Sequence, residues 1–166
     1  MLRLIPLFFF VVMVIFACDT KKVTAPSSTD APMTDSAKVA LVLNNLLEAC
    51  YACSPDANCS KVAPYIVYRG KTEPDRAWKT LIDYSKEEDR EIVNQACIAI
   101  KKVLPEGTKF RIKEFSQERE SEGVWNVLVL LPDAVSSNGK QRHIDFAFLE
   151  IQGEYALGDI DSYTYR

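Results

Sequence analysis

The chain has 166 residues, with 20 Lys or Arg against 23 Asp or Glu and a formal net charge of −3. Nucleic-acid binding depends on clustered basic side chains that meet phosphates, and no basic stripe runs along this sequence. The composition therefore argues against a nucleic-acid partner, and the length allows one ordinary domain with a single core.

The amino terminus is typical of an exported protein. Arg3 provides one positive charge, and the next thirteen residues, Leu4 to Phe16, carry none. A membrane-crossing helix needs roughly 20 apolar residues, so this run has the length of a cleavable signal-peptide core. Residues 15–18, Ile-Phe-Ala-Cys, resemble the lipobox of bacterial lipoproteins. The resemblance implies cleavage before Cys18 and lipidation of its sulfur.

The predicted location of the protein is extracytoplasmic, at a bacterial membrane. Asp19 directly after the cysteine resembles an inner-membrane retention signal of some lineages. The sequence does not decide between the inner and the outer membrane, or between the periplasm and the cell surface. The alternative is a secreted protein cut near Ala17, with Cys18 left as an odd thiol.

A polar segment follows. Residues 19–34 are rich in Thr, Ser, Ala, Pro and Lys and show no apolar periodicity. Sixteen flexible residues span about 20–25 Å, which makes the segment a tether. We therefore predict a signal peptide over 1–17, the lipidated cysteine and tether over 18–34, and a single α+β domain over 35–166.

The first half of the domain has helical periodicity. An apolar stripe predicts a helix capped by Thr34, Asp35 or Ser36, and its members are Val39, Val42, Leu43, Leu46, Leu47 and Cys50. Residues 60–68 fit either a short helix ended by Pro64 or a brief strand. A short helix is then predicted around Trp78, Leu81 and Ile82.

A second long helix closes this half. Its stripe consists of Ile92, Val93, Ala96, Cys97, Ile100 and Leu104. The run Pro105-Glu106-Gly107 is a strong stop signal, so the helix is expected to end there.

The second half changes to a period of two. Alternation at 110–113 predicts a half-exposed strand, and 124–131 is apolar on both faces, as in a central strand. Turn signals at Asn138-Gly139 and Gln152-Gly153 introduce strands at 142–151 and 155–160. Helices first and a four-stranded antiparallel meander second predict an α+β fold with the helices on one sheet face.

The helix order, the chain length and the closing segment 146–160 resemble the nuclear transport factor 2-like superfamily, especially its bacterial lipoproteins. The likeness covers most of residues 36–162, and Tyr155 stands where that family places an aromatic residue, two positions after the turn glycine. It implies a cone with a curved sheet and room for a pocket. It does not imply an activity, because this superfamily hosts isomerases, hydrolases, ligand binders and protein-binding modules.

Four cysteines remain when Cys18 is set aside. Three pairings are possible, and we favour Cys50 with Cys97, where the two helical stripes pack, and Cys53 with Cys59 in a short loop. A redox site from Cys50 and Cys53 is disfavoured, because a helix C-terminus destabilises a thiolate. A zinc site is disfavoured because Cys97 stands alone.

Candidate catalytic residues are few. His143 and Asp145 would share one strand face and could transfer a proton, but a solvated polar cluster opposite the core residues Ile144, Phe146 and Phe148 is the expected arrangement. Four other residues could line a cone cavity or, for the aromatic ones, belong to the core: Tyr65, Tyr68, Tyr155 and Asp159. No metal site and no cofactor is predicted.

Two functions are consistent with this sequence. The first is a non-catalytic module that binds a protein partner or a small ligand at the cell envelope, with a homodimer through the open sheet face as one possibility. The second is a small pocket enzyme of the isomerase or hydrolase type, with Asp145 or Asp159 as base. A filled apolar interior favours the first, and a roomy cavity with a buried carboxylate favours the second.

Overall fold

The computed structural model describes residues 33–54, 58–67, 82–120, 123–133 and 139–164. All of them belong to one unit, Pro32–Arg166. The predicted signal peptide, Cys18 and most of the tether lie outside these residues. So do Tyr68, Asn138, and Trp78 and Leu81 of the predicted short helix.

The first helix, α1, spans Asp35–Ala52. Thr34 is its N-cap, and the side-chain hydroxyl accepts a hydrogen bond from the Ala37 N–H at 3.3 Å, which satisfies one of the free donors of the first turn. The buried face consists of Val39, Leu43, Leu46, Leu47 and Cys50. The predicted helix and its apolar stripe are therefore confirmed.

The second helix, α2, spans Glu87–Val103 and buries Val93, Cys97 and Ile100. Three acidic residues occupy its first turn, and Lys101 and Lys102 its last, an arrangement that complements the helix dipole. The helix ends before Pro105, as predicted.

The link between the helices contains both local structures that the sequence left open. A single 3₁₀ turn spans Ala63–Tyr65, and Ile66 then forms an isolated parallel bridge with Leu157. The Val67 N–H donates to the Leu157 carbonyl at 3.0 Å. Ile82, the described residue of the predicted short helix, is buried but not helical.

Four antiparallel strands follow in sheet order β1-β2-β3-β4. They span Phe110–Arg119, Val124–Pro132, Arg142–Ile151 and Glu154–Thr164. The α+β meander is confirmed, β2 is central as predicted, and β4 runs beyond its predicted end at 160. Ile112 is 42% exposed although it pairs with the buried Leu130, and the register with β2 shifts between Ile112 and Glu114.

The turn between β3 and β4 explains how these strands find their register. Gln152 and Gly153 have φ values of 55° and 88°. Two successive positive φ values are the signature of the primed two-residue turns whose twist matches that of a hairpin. The predicted Gln152-Gly153 turn is confirmed.

The two faces of the sheet differ. The helix face packs against α1 and α2 and contributes Leu128, Leu130, Ile144, Phe146 and Phe148 to the main core. The opposite surface, called the far face below, carries a smaller buried cluster of Val67, Trp125, Leu149, Ile151 and Ala156. In the described part of the chain neither helix is long and apolar enough to cross a membrane.

Candidate functional site

The interior between the sheet and the helices is filled by hydrocarbon. Phe146 and Phe148 are 0% exposed, as is Leu128 on the neighbouring strand. Cores packed in this way leave no space for a substrate between the layers. Within the described residues, candidate sites therefore lie at an edge of the domain or on the far face of the sheet.

His143 and Asp145 share the far face, as predicted, with Tyr163 and Asp161 directly opposite them on β4. The expectation of a solvated cluster is wrong for His143, which is only 6% exposed, and Asp145 is partly buried. The His143 and Tyr163 rings lie 5.5 Å apart. Packing on this face therefore covers the histidine that the strand pattern placed in solvent.

Burial shifts the titration of both groups. It raises the pKa of Asp145, and the charges of Asp161 and Glu114 add to that effect while a hydrogen bond from Tyr163 opposes it. Burial also lowers the pKa of His143, helped by Lys113 and opposed by Asp145. The pair therefore favours a neutral imidazole beside a carboxyl group that holds its proton more tightly than usual.

A groove runs between α2 and β4, with a volume of about 390 Å³. Its walls are mostly aliphatic and are formed by Ile66, Val67, Ile92, Ala96, Ala99, Leu157, Gly158 and Ile160, with Glu91, Gln95 and Asp159 as polar members. The register of β4 against β3 skips Gly158, since Phe148 faces Leu157 and Ala147 faces Asp159. This bulge lies in the wall of the α2–β4 groove.

Asp159 is the predicted site residue that this groove contains. It is exposed, and its Oδ1 accepts a hydrogen bond from the Ile160 N–H at 3.0 Å. A general base works best when burial brings its pKa near the working pH, whereas an exposed carboxylate attracts cations. The position of Asp159 therefore fits charge recognition better than catalysis.

The other predicted cavity residues are not brought together. Tyr155 is 8% exposed and belongs to the main core, and its edge lines a groove beside Asp35 and Glu150. Tyr65 lines another groove with Asn45 and Lys61. Tyr155 therefore follows the core alternative, and the grooves among the described residues do not bring Tyr65 or Tyr155 together with Asp159.

The cysteines lie in the pairs that the sequence favoured. Cys53 and Cys59 have their sulfurs at disulfide distance, with Cα atoms 5.1 Å apart. Cys50 and Cys97 are buried thiols whose sulfurs lie 3.2 Å apart where α1 meets α2. Covalent closure of this second pair stays a prediction. Among the described residues, no group of three or more His, Cys, Asp or Glu is placed to hold a metal.

Comparison with known proteins adds no assignment, since no family model, no curated protein and no solved structure matches the chain. The resemblances to bacterial lipoproteins and to the nuclear transport factor 2-like superfamily stay predictions. The α2 wall of the groove was not foreseen, because Ile92 and Ala96 looked like ordinary members of a core stripe. Gly158 inside an apolar strand was the available signal, because such a glycine often marks a bulge.

Proposed function

We propose that the protein is a lipid-anchored, extracytoplasmic binding module whose α2–β4 groove accepts an extended peptide segment with aliphatic side chains and one basic residue. The lipobox-like run ending at Cys18 supports the location. The groove itself is the observation that carries the binding function.

The size and lining of the groove suit aliphatic side chains. Its volume of about 390 Å³ lies within the range of roughly 300–1,000 Å³ that is typical of ligand sites. Ile92 and Ala96 on α2 face Leu157 and Ile160 on β4 across it. Burying apolar surface contributes about 25 cal/mol per Å², so a few aliphatic side chains are enough for measurable affinity.

The backbone beside the groove can recruit a strand. β4 ends the sheet order, and Ile66 and Val67 already pair with it in parallel at Leu157. Peptides commonly bind by adding a strand to such an edge, where main-chain hydrogen bonds give affinity and side-chain pockets give specificity.

The acidic residues of the groove favour peptides that carry a basic side chain. Glu91 on α2 and Asp159 on β4 are both exposed acidic residues that border the groove. Opposite charges across an interface raise the association rate and disfavour partners of the wrong sign. A basic side chain in the peptide is therefore expected, and an acidic one is disfavoured.

The catalytic alternative rests on one observation, the raised pKa of Asp145 beside His143. The α2–β4 groove, the cavity beside Cys97, and the grooves that Tyr65 and Tyr155 line contain neither His143 nor Asp145. Because a base needs a substrate within hydrogen-bond reach, binding is the better supported function.

Location is tested with the natively produced protein. The wild type is expected in the membrane fraction with a lipid adduct on Cys18, and Cys18→Ser in the soluble extracytoplasmic fraction. Intact mass gives the adduct directly, and an unmodified wild-type protein that retains residues 1–17 contradicts the anchored role.

Binding is tested with two labelled peptides of equal length that alternate Val with Ser. The Val/Lys peptide has a single central Lys, and the Val/Glu peptide has a single Glu at the same position. Fluorescence anisotropy is expected to detect binding of the Val/Lys peptide alone. Glu91→Lys combined with Asp159→Lys should reverse that preference.

Ala99→Trp fills the groove from an exposed position on α2 and should weaken binding at least about ten-fold, which corresponds to about 1.4 kcal/mol. Ala37→Trp is the matched control, because Ala37 is an exposed alanine on α1 outside the lining of the groove. Equal binding of the two peptides, or an equal loss in the control, contradicts the proposal.

A further inference from the structure

We propose that Cys50 and Cys97 form an oxidation site with a fixed order of reaction. A disulfide-bearing oxidant reacts first with Cys97 through a cavity beside α2, and Cys50 then displaces it to close a bridge between α1 and α2. The proposal rests on the cavity beside Cys97 and not on the α2–β4 groove, although Glu91 and Gln95 line both.

The two sulfurs are placed to bond. They lie 3.2 Å apart, and each sits on the buried stripe of its helix. A disulfide has a sulfur separation of about 2.05 Å, so closure requires the sulfurs to approach by about 1.2 Å.

The environments of the two sulfurs differ. Cys50 is 0% exposed, whereas Cys97 is 3% exposed and lines a cavity of about 210 Å³. Cys53 and Ser54, directly after α1, contribute to the walls of this cavity. The helix α2 completes the walls with Glu91, Asn94, Gln95, Ile98 and Lys101. Ile98 is 58% exposed, so the cavity rim reaches solvent. A small disulfide can therefore approach Cys97 but not Cys50.

Lys101 favours reaction at Cys97. It lies one helical turn after Cys97 on α2, and its Nζ donates a hydrogen bond to the Cys53 carbonyl oxygen. This bond fixes a cation in the wall of the cavity. Glu91 is the carboxylate of the same wall, and it accepts a hydrogen bond from Gln95 at 2.7 Å. A nearby cation stabilises the thiolate, which is the nucleophile in disulfide exchange.

The titration of the two thiols agrees with this geometry. The hydrogen bond that Cys50 donates to a Cys97 thiolate lowers the pKa of Cys97, burial opposes that effect, and Lys101 lowers it further. The same hydrogen bond and burial raise the pKa of Cys50. Lys101 also lowers the pKa of Cys50, but the opposite net directions of the two thiols agree with reaction at Cys97 first.

The chemistry balances as two exchanges. The Cys97 thiolate attacks one sulfur of the oxidant, the oxidant disulfide breaks, and the first leaving thiolate takes up the proton that Cys97 lost. Cys50 then transfers its proton to the departing second thiolate as its sulfur attacks the mixed disulfide at Cys97. Two protein thiols become one disulfide, and the oxidant disulfide becomes two thiols.

The test uses the full chain, reduced and then exposed to oxidised glutathione, with samples quenched by acid and digested by trypsin. Cleavage at Lys and Arg separates residues 91–101, which carry Cys97, from 39–61, which carry the other three domain cysteines. Wild type should yield the two peptides linked through Cys50 and Cys97. Cys50→Ser should accumulate glutathione on 91–101.

Cys97→Ser provides the decisive comparison, because glutathione should reach Cys50 at least about ten-fold more slowly than it reaches Cys97 in Cys50→Ser. Fragmentation of peptide 39–61 distinguishes Cys50 from Cys53 and Cys59. Equal rates in the two variants, or a wild-type product without a link between Cys50 and Cys97, overturn the proposal.

Two further pairs of variants separate entry through the cavity from exposure by unfolding. Lys101→Gln and Asn94→Trp should each slow formation of the Cys97 adduct several-fold in the Cys50→Ser background. Lys102→Gln and Asn44→Trp make the same changes at exposed positions outside the cavity lining and should not slow it. The thermal stability of each variant is measured in parallel. If the rate of Cys97 adduct formation follows thermal stability and not whether the substituted residue lines the cavity, entry through the cavity is contradicted.

Discussion

The two faces of the sheet are built from alternate residues of the same strands, yet they follow different rules. On the helix face, Ile144, Phe146 and Phe148 of β3 are all 0% exposed against the helices. On the far face, His143 and Asp145 of β3 lie near acidic groups from β1 and β4. The helix face is built mainly from buried hydrocarbon, whereas the far face combines a smaller apolar cluster with titratable side chains.

The buried polar side chains of the two faces also differ in how well they are hydrogen-bonded. Asn126 is 2% exposed, but its Oδ1 accepts from Gln117 Nε2 at 2.8 Å and its Nδ2 donates to the Val124 carbonyl at 3.1 Å. On the far face, Asp145 Oδ1 is buried and has no hydrogen-bond partner within the described structure. A buried polar atom without a partner costs stability, so Asp145 lowers the stability of the far face.

The largest expected effect is Phe146→Ala, which should lower the free energy of unfolding by about 4–5 kcal/mol because a fully buried aromatic ring leaves a cavity. Denaturant unfolding followed by circular dichroism measures the loss. Ile112→Ala, at a strand position that is 42% exposed, should change stability by less than about 1 kcal/mol. Similar losses in the two variants contradict the proposed role of the helix face.

Leu149→Ala should cost less, about 2 kcal/mol, because Leu149 is 2% exposed but belongs to the smaller far-face cluster. The same denaturant unfolding experiment compares its free energy of unfolding with that of Phe146→Ala. A loss equal to that of Phe146→Ala would show that the faces contribute equally and break the comparison.

His143→Gln should change how stability depends on pH. Burial lowers the pKa of His143 in the folded state, so the unfolded chain binds its proton more readily. Wild type therefore loses stability as pH falls from about 6.5 toward the lower folded value, with a slope of at most about 1.4 kcal/mol per pH unit. The variant should lack this loss in urea titrations across pH 4–8, and an unchanged slope contradicts burial of the histidine.

Asp145→Asn should have the smallest effect and the opposite sign. The pKa of Asp145 is raised in the folded state, so stability falls as pH rises from below its ordinary value through the folded value. Removing the charge should stabilise the fold by about 0.5 kcal/mol at pH 7, because Asp161 lies directly opposite. Asp133→Asn, at an exposed position, is the control. Destabilisation by Asp145→Asn at pH 7 contradicts the charge conflict.

Local patterns were enough to predict most of the fold. The stripe that ends at Cys50, the stop at Pro105 and the Gln152-Gly153 turn each identified an element that the structure confirms. Periodicity works here because each helix buries one face and β2 buries both. The bulge after Ile112 was not predictable in this way, since a register shift depends on how the neighbouring strand pairs.

The candidate sites were less predictable than the fold. Helical stripes were enough to place Cys50 near Cys97, because both face the core. The α2–β4 groove depends on the approach of two elements far apart in sequence, of which only Asp159 had been singled out. The burial of His143 likewise depends on packing across the far face, which strand alternation alone does not reveal.

The central position of β2 makes the fold easy to monitor. Its backbone pairs with β1 on one side and β3 on the other, so its amides should exchange with solvent deuterium only when the whole domain opens. Trp125 lies on this strand and is one of two tryptophans in the chain. With Trp78 replaced by Phe, the fluorescence of Trp125 would report global opening of the purified protein without any attached dye.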